Sequence, residues 1–432
     1  MKIKNLYIYP VKSLRGCSIP TATLTRHGLK HDRKYMIVRI TPSDNNNVDS
    51  NDNNNVNGST GGERKYTYES LYVGRVDSLC LFSASILPNY ENAEVIRVTY
   101  NTPVPSSGTK EKEKQEGDGD DDGGNPYIEF PVIADYKNLE KLDLRIHLSD
   151  CVGYDMGSKY QEFFTKYLGY PAKLVYVGDS TREVKGNLAP NQTHLTKEND
   201  FDNGRGSGST TTTTTTAGSN DWFIFGLFTW VLWYLLGWNQ NNIEGHSKYT
   251  IQFADVAPVL VTSTVSLEEL NSGKGEDGKN ELALDITKMR PNIVLEPSTS
   301  NEMIPFEEDY WAELEVSNGN NDEDDDEVGD RKDARRIILT GNCGRCKSLN
   351  VDYATGKQLP VHGQMLKRLS DMKRRVDAGY GYSPIFGRYG FIEKGSLEKE
   401  VRVGEEVTVT KKNEERTVFY WPGLSTGTKP RK

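Results

Sequence analysis

Two thiols three residues apart lie in the run Gly341-Asn342-Cys343-Gly344-Arg345-Cys346-Lys347-Ser348-Leu349-Asn350-Val351-Asp352, with arginine and lysine flanking the second. Neighbouring cations favour the thiolate, the form that ligates soft metals or attacks electrophiles. The preceding run from Arg336 to Thr340 reads as a strand. Leu349 to Asp352 resumes extended structure until Ala354-Thr355-Gly356 turns the chain. Each thiol is therefore expected on a loop between strands.

Such a pair is open to several chemistries. Structural zinc asks for two further ligands, and the chain has five cysteines (Cys17, Cys80, Cys151, Cys343, Cys346), with no second CxxC, and six histidines. A thioredoxin-type dithiol belongs at a helix start inside a βαβ unit, which the strand context opposes. One thiolate can instead ligate a metal carried by a cofactor. The plain alternative is a pair of small buried residues in a core.

The elements that must position these thiols are mostly strands. Ile3 to Tyr9, Lys34 to Ile40, Ala93 to Tyr100, Lys173 to Val177, Pro258 to Thr262, Asn292 to Leu295 and Val401 to Thr410 are short, β-branched and bounded by turn residues. Helical periodicity is confined to Ser158–Leu168, stopped by Gly169 and Pro171, to Ser266–Leu270 behind a Ser-x-x-Glu box, and to a basic stretch at Leu366–Val376. Many strands and few helices imply a mainly β fold built from β-barrels.

A set of motifs recurs in order along the chain. Tyr7-Ile8-Tyr9-Pro10-Val11-Lys12-Ser13-Leu14-Arg15-Gly16 comes first, then Gly28-Leu29-Lys30-His31-Asp32-Arg33-Lys34-Tyr35. Asp255-Val256-Ala257-Pro258 and Met289-Arg290-Pro291-Asn292 follow. Pro305-Phe306-Glu307-Glu308-Asp309-Tyr310-Trp311 precedes the cysteine loop, and Tyr382-Ser383-Pro384-Ile385-Phe386-Gly387-Arg388-Tyr389 follows it. In this order they resemble the MOSC superfamily, an N-terminal MOSC β-barrel domain followed by a MOSC domain. Within it the likeness is to the mitochondrial amidoxime-reducing component and related molybdenum-cofactor proteins.

The resemblance implies a molybdenum cofactor (Mo-molybdopterin), with the metal ligated by the cysteine after the loop arginine, here Cys346 after Arg345. Cys343 matches a cysteine that need not touch the metal. Lys12, Ser13 and Arg33 would hold the pterin and its phosphate, with Arg290 and Asn292 from the Arg-Pro-Asn motif. The residue types suit these roles, since arginine offers a planar fork to a phosphate and lysine a compact charge. As bland alternatives, Lys12 and Arg33 are solvated charges, and Arg290 and Asn292 cap a turn. Asp309 and Trp311 read as structural. Asp255-Val256-Ala257-Pro258 replaces a more hydroxylated stretch of the family, removing a side-chain hydrogen bond to the cofactor. A family motif that contains arginine finds no clear counterpart in the 68–75 run from Tyr68 to Arg75.

The implied activity is reduction of N-oxygenated small molecules such as amidoximes, with Cys346 as the catalytic metal ligand. Electrons would come from NADH through a flavin reductase and cytochrome b5. A second class of function is a non-enzymatic molybdenum-cofactor or sulfur carrier of the sulfurase C-terminal type. A third is a structural protein with a decayed site, which the intact Lys12, Arg33, Arg290 and Cys346 oppose.

The domain reading divides the 432 residues into four parts. Residues 1–180 form the N-terminal β-barrel-like domain, with inserts at about 41–64 and 105–125. Residues 181–245 are a low-complexity insert, 246–412 the MOSC domain with an acidic insert at about 316–332, and 413–432 a C-terminal tail. The polar inserts bury too little apolar area to offset ordering entropy and read as disordered loops. The net charge of −9 is largely theirs: the tracts at 44–52, 110–122 and 322–327 carry −13, leaving about +4. A mildly basic remainder suits an anionic cofactor and falls short of a nucleic-acid footprint.

One segment departs from a soluble pattern. Residues 222–238 carry no charge and hold four of the six tryptophans. As a helix this run would be about 26 Å long, slightly short of a ~30 Å hydrocarbon core. Tryptophans at both ends fit an interfacial belt. A single span would separate two domains that share one cleft, so an in-plane or hairpin-like membrane association is expected, against a helix packed on the protein itself. The N-terminus begins as a strand without signal features. An odd cysteine count favours a reducing compartment, giving an expected location at the cytosolic face of an intracellular membrane, otherwise the cytoplasm; the family resemblance makes the mitochondrial outer membrane one candidate.

Overall fold

The computed structural model describes residues 1–42, 66–104, 124–193, 249–272, 284–298, 303–317 and 334–425. The inserts read as disordered and the apolar 222–238 run fall almost wholly outside them. The fold is mainly β, with closed-barrel architecture as expected from the strand pattern. Seven strands close a barrel in the order Ile293–Glu296, Val259–Ser263, Ile385–Ile392, Arg335–Gly344, Trp311–Ser317, Glu406–Lys412 and Lys2–Ile8. Lys2–Ile8 closes the circle, pairing with both Glu406–Lys412 and Ile293–Glu296. Its residues Ile3, Leu6 and Ile8 are buried, and a register shift between Ile3 and Asn5 re-aims the strand where the two neighbours meet.

A five-stranded antiparallel sheet (Lys141–Ile146, Ser149–Asp155, Ala172–Tyr176, Tyr35–Pro42, Tyr66–Ser70) and a three-stranded one (Phe82–Leu87, Val95–Tyr100, Tyr127–Pro131) complete the framework. The Ser158–Leu168 helix covers them: Phe164 lies 5.7 Å from Phe82 and Tyr167 stacks on Tyr100 at 4.5 Å. Gly169 ends this helix at φ 77, a conformation that Gly takes without Cβ strain. One apolar cluster runs from Ile3 and Leu6 in the barrel to Phe82, Val98 and Phe164 beside it, so the two halves share a core.

Several boundaries differ from the sequence reading. The first strand belongs to the barrel of the C-terminal half, so a division at residue 180 cuts across a hydrogen-bonded sheet. Residues 182–193, placed in the insert, are packed: Arg182–Glu183 pairs with Thr250–Ile251, and Val184 and Leu188 are buried. The stretch read as a tail packs inward as far as Ser425, with Phe419, Tyr420 and Trp421 buried. Val401 to Thr410 is two strands, because Gly404 at φ 92 turns the chain between Glu400–Arg402 and Glu406–Lys412.

The helix of 264–271 begins at Ser263, whose Oγ accepts from the Ser266 amide, and not at the Ser266 box. The basic helix spans only Met365–Asp371; Lys373 then takes φ 59 and Arg374 swings inward to Asp309 at 2.8 Å. Pairing with a buried carboxylate outweighs helix continuation there.

Candidate active site

Lys12 and Ser13 sit on the loop that leaves the barrel strand at Tyr9. Ser13, His31, Arg33 and Arg290 all have positive φ (72, 69, 49 and 56°), a conformation that side chains with a Cβ rarely adopt. Non-glycine residues held this way cost about 1–3 kcal/mol each and persist where the surroundings fix them, commonly at ligand sites.

Lys12 is 5 % exposed, and its Nζ donates to the Phe253 carbonyl at 3.0 Å and pairs with the Asp255 carboxylate. His147 Nε2 reaches the same carboxylate at 3.1 Å. Arg182, fully inside, donates Nε to Gln252 O at 3.0 Å and Nη2 to the carbonyls of Ala254 and Asp255, fixing this turn. Burial lowers the Lys12 pKa to about 8 despite its partner. The Lys12 ammonium and the His147 ring hold the half-exposed Asp255 carboxyl well below the usual carboxylate range. Asp255 thus stands where the family's hydroxylated stretch was expected, as the counter-ion of Lys12.

Arg33 is anchored by its neighbour: Nη1 donates to Asp32 Oδ2 at 2.6 Å and lies 3.4 Å from Asn292 Oδ1. Asp32 Oδ1 accepts the Tyr9 amide at 2.7 Å. Asn292 is fully buried, donating Nδ2 to Asp32 and to Tyr7 O at 3.2 Å each and accepting the Leu260 amide at 3.1 Å. Its amide is fully engaged, so Asn292 acts on the site by positioning Arg33. Two guanidiniums stand over the Tyr9 ring, Arg290 at 4.3 Å and Arg33 at 5.4 Å from its centroid. Arg290 Nη1 donates to Leu14 O at 2.6 Å, while Nη2 is buried with no partner.

The cysteines part company. Cys343 is not on a loop: the Arg335–Gly344 strand runs through it, and the thiol is buried. Its sulfur accepts Arg345 Nη1 at 2.9 Å and lies 3.0 Å from the Tyr389 hydroxyl. Cys346 is exposed at the loop end, with Ser348 Oγ 3.1 Å away. Arg345 is buried and its Nη2 donates to Met289 O at 2.8 Å, tying the cysteine loop to the residue before Arg290. Asn342 is held in turn by Arg388 Nη1 at 2.8 Å. Across from Cys346, a Cβ added to Gly74 would stand 3.4 Å from the sulfur. Ser13 Oγ donates to Leu71 O at 3.0 Å on that same 71–74 segment.

Contacts thus link Ser13 to the 71–74 segment beside Cys346, Arg33 to Arg290 through the Tyr9 ring, and Arg345 to the residue before Arg290. Asp32, Asp255, His147, Arg182, Tyr389 and Gly74 were not singled out as site residues on sequence. Asp32 was signalled only by its adjacency to Arg33. Asp255 and Tyr389 lie within quoted motifs without a role of their own there, and His147 and Arg182 arrive from segments outside any motif. Gly74 falls in the 68–75 run that had no assigned counterpart. Asp309 and Trp311 are fully buried; Asp309 binds Arg374 at 2.8 Å and Arg416 at 2.9 Å, a structural role.

Comparison with known proteins matches residues 1–43 to the MOSC N-terminal beta barrel domain and residues 248–408 to the MOSC domain. Mitochondrial amidoxime reducing component 2 of Bos taurus is 31% identical over 164 residues, 37% of this chain and 39% of that protein. Mitochondrial amidoxime-reducing component 1 of Homo sapiens is 29% identical over 163 residues, 37% of this chain and 39% of that protein. Molybdenum cofactor sulfurase of Oryza sativa subsp. japonica is 25% identical over 165 residues, 36% of this chain and 17% of that protein. The chain spans about two fifths of the length of the amidoxime-reducing components it matches.

Proposed function

The chain joins a MOSC N-terminal β-barrel domain to a MOSC domain, and on that premise we propose that it is a molybdenum-cofactor-dependent oxidoreductase that reduces N-oxygenated small molecules. The observation that carries the reading is the setting of Cys346. It is the exposed thiol among five cysteines, on a loop braced by Arg345 against the Arg290 segment. The donor set fits a group that combines a thiophilic metal with an anionic tail. An exposed sulfur faces a side-chain-free glycine, and a buried guanidinium nitrogen has no partner.

In this reading Cys346 holds the metal as thiolate, while Lys12, Ser13, Arg33 and Arg290 hold pterin and phosphate. Arg345 and Asn292 position the loop and Arg33. The bound cofactor supplies the redox chemistry. The protein's own residues bind it, orient it and leave the Cys346 side of the cleft open to substrate. Electrons come from cytochrome b5 and its NADH-dependent flavin reductase. The matched amidoxime-reducing components are named as mitochondrial, and the reading places this chain on the cytosolic face of a membrane through residues 222–238. No helix among the described residues is long and apolar enough to cross one.

Molybdenum and pterin content of the full chain, purified from a host that makes the cofactor, is the deciding measurement. Stoichiometric metal lost in Cys346→Ser is expected, and absence of both from the parent protein sinks the reading. The match to the sulfurase keeps a carrier in view. Bound cofactor without benzamidoxime reduction in a reconstituted electron-transfer assay would favour that carrier.

A further inference from the structure

Next to the exposed Cys346 sulfur stands an aromatic ring that the proposed function does not use. Tyr72 is 45 % exposed, although Leu71 and Val73 on either side of it are buried. Its backbone is held on both sides. The Leu71 amide donates to Ile37 O at 3.2 Å, and Tyr72 O accepts the amides of Arg75 at 2.9 Å and Val76 at 3.0 Å. Among the described residues the Tyr72 hydroxyl has no hydrogen-bond partner. A ring kept for packing would be covered, and a tyrosine kept for its hydroxyl would have it engaged.

A lone exposed ring is ordinary on a protein surface; what marks this one is its placement. Gly74 is buried between the ring and the cysteine loop. A Cβ built at Gly74 would lie 3.0 Å from Tyr72 Cε2, 3.3 Å from Cδ2 and 3.4 Å from Cys346 Sγ. Ring and sulfur are therefore no farther apart than the first and last of these lengths laid end to end. The glycine lets both approach one point, and a larger residue there would press first on the ring. Among the described residues Cys346 Sγ has only the Ser348 hydroxyl at hydrogen-bond distance, 3.1 Å away, so the sulfur is not walled off from the ring's open side.

We propose that Tyr72 is a substrate platform, stacking planar, conjugated N-oxygenated molecules beside the Cys346 sulfur and favouring them over aliphatic ones. The inference rests on the proposed function and adds its substrate class. A ring already ordered by its turn offers a flat apolar face at little further entropic cost. An aryl amidoxime is close to flat from its ring to its nitrogen and can lie along that face. An alkyl amidoxime has only its short polar head to set there.

The test uses the full chain with its molybdenum content measured, and three variants. Tyr72→Phe keeps the face and loses only the unpartnered hydroxyl. Tyr72→Leu keeps an apolar group and loses the plane. Gly74→Ala, at a position without positive φ, pushes on the ring from below. Calorimetry reads the binding of benzamidoxime, of its reduction product benzamidine and of aliphatic acetamidoxime; turnover gives KM and kcat for the two amidoximes. Tyr72→Leu is expected to weaken both aromatic ligands about three- to tenfold and to raise KM for benzamidoxime in step, with its kcat and acetamidoxime unchanged. Tyr72→Phe should match the parent, and Gly74→Ala should fall between. Unchanged affinity in Tyr72→Leu, equal loss for aromatic and aliphatic ligands, or loss in Tyr72→Phe would overturn the proposal. So would molybdenum lost from Tyr72→Leu, which would make the ring a cofactor contact. A parent chain without molybdenum fails the proposed function instead. Benzamidine binding with the same dependence on Tyr72 would then still support the platform, and no binding would overturn it.

Discussion

An exposed sulfur beside Ser348 and a buried one between Arg345 and Tyr389 answer differently to the same serine replacement. Cys346→Ser leaves a hydroxyl, a poor ligand for a soft or thiophilic metal at neutral pH, so metal and reductase activity should fall to background with the fold intact. Cys343→Ser keeps a donor and acceptor at shorter reach, so it should weaken the Arg345 contact by about 1 kcal/mol of stability and retain metal. Metal lost equally in both would overturn the single-ligand assignment.

Glu308 offers a second residue-level test, away from the site. It is 1 % exposed, and burial pushes its carboxyl up to about 7 although Ser266 Oγ donates to it at 2.8 Å and Ser263 Oγ at 3.3 Å. A folded value raised above the unfolded ~4.5 means full stability below about pH 4.5 and loss as pH rises through 7. Glu308→Gln should remove that loss, gaining roughly 3 kcal/mol over the parent above pH 8 as an upper estimate. Thermal melts from pH 4.5 to 8 read this directly. Parallel curves for the two proteins would show that Glu308 is not ionising inside the fold.

Among the elements, Lys2–Ile8 has a larger role than its length implies, because it alone joins two ends of the barrel. Leu6 is fully buried in it and faces Ile293 across the closing pair. Leu6→Ala should cost about 2–5 kcal/mol, seen as a lower urea midpoint with little change in slope. A cost below about 1 kcal/mol would mean that the closure relaxes around the void. This strand and the Ser158–Leu168 helix were legible because alternation, helical spacing and a Gly-Pro stop are local signals. The start of the 264–271 helix was misplaced because Ser263 and Ser266 both suit a cap, and only the hydrogen bond chooses between them. The strand through Cys343 was cut short because Gly341 and Gly344 read as turn residues. In the folded chain Gly341 and Gly344 stay in the ladder opposite Tyr389 and Ile385.

For the whole molecule, legibility stops where function depends on segments far apart in sequence. Lys12, Arg33, Arg290 and Cys346 stood out through motifs. The groups that set the charge of Lys12 and the aim of the neighbouring Cys343, Asp255 and Tyr389, lie 243 and 46 residues from their partners. The same limit hid the role of the C-terminal stretch. Polar spacing after Lys412 resembles a tail, yet Phe419 stacks on Tyr380 at 4.3 Å. Trp421 donates Nε1 to His147 O at 2.9 Å, next to the turn that faces Asp255.

Deletion of residues 222–238 makes a contrasting pair with loss of this stretch. That run lies between described residues 193 and 249 and outside the described structure. Its removal should leave the melting temperature unchanged and reduce co-sedimentation with membranes. A deleted chain that still pellets fully with membranes rules it out as the anchor.

Trp421→Ala, in contrast, removes a fully buried ring from a cluster with Val184, Leu188, Ile251 and Phe391. It should cost about 3–5 kcal/mol. It also frees the carbonyl that anchors the His147 turn, so the loss should extend to the site. Chemical-shift or fluorescence reporters on the Lys12–Asp255 side of the cleft should move, and cofactor content should fall at temperatures where the variant is still folded. Loss of stability with cofactor content unchanged would restrict the C-terminal stretch to packing. Loss of both would make it a wall of the site, joining the last packed residues of the chain to a lysine on the first loop.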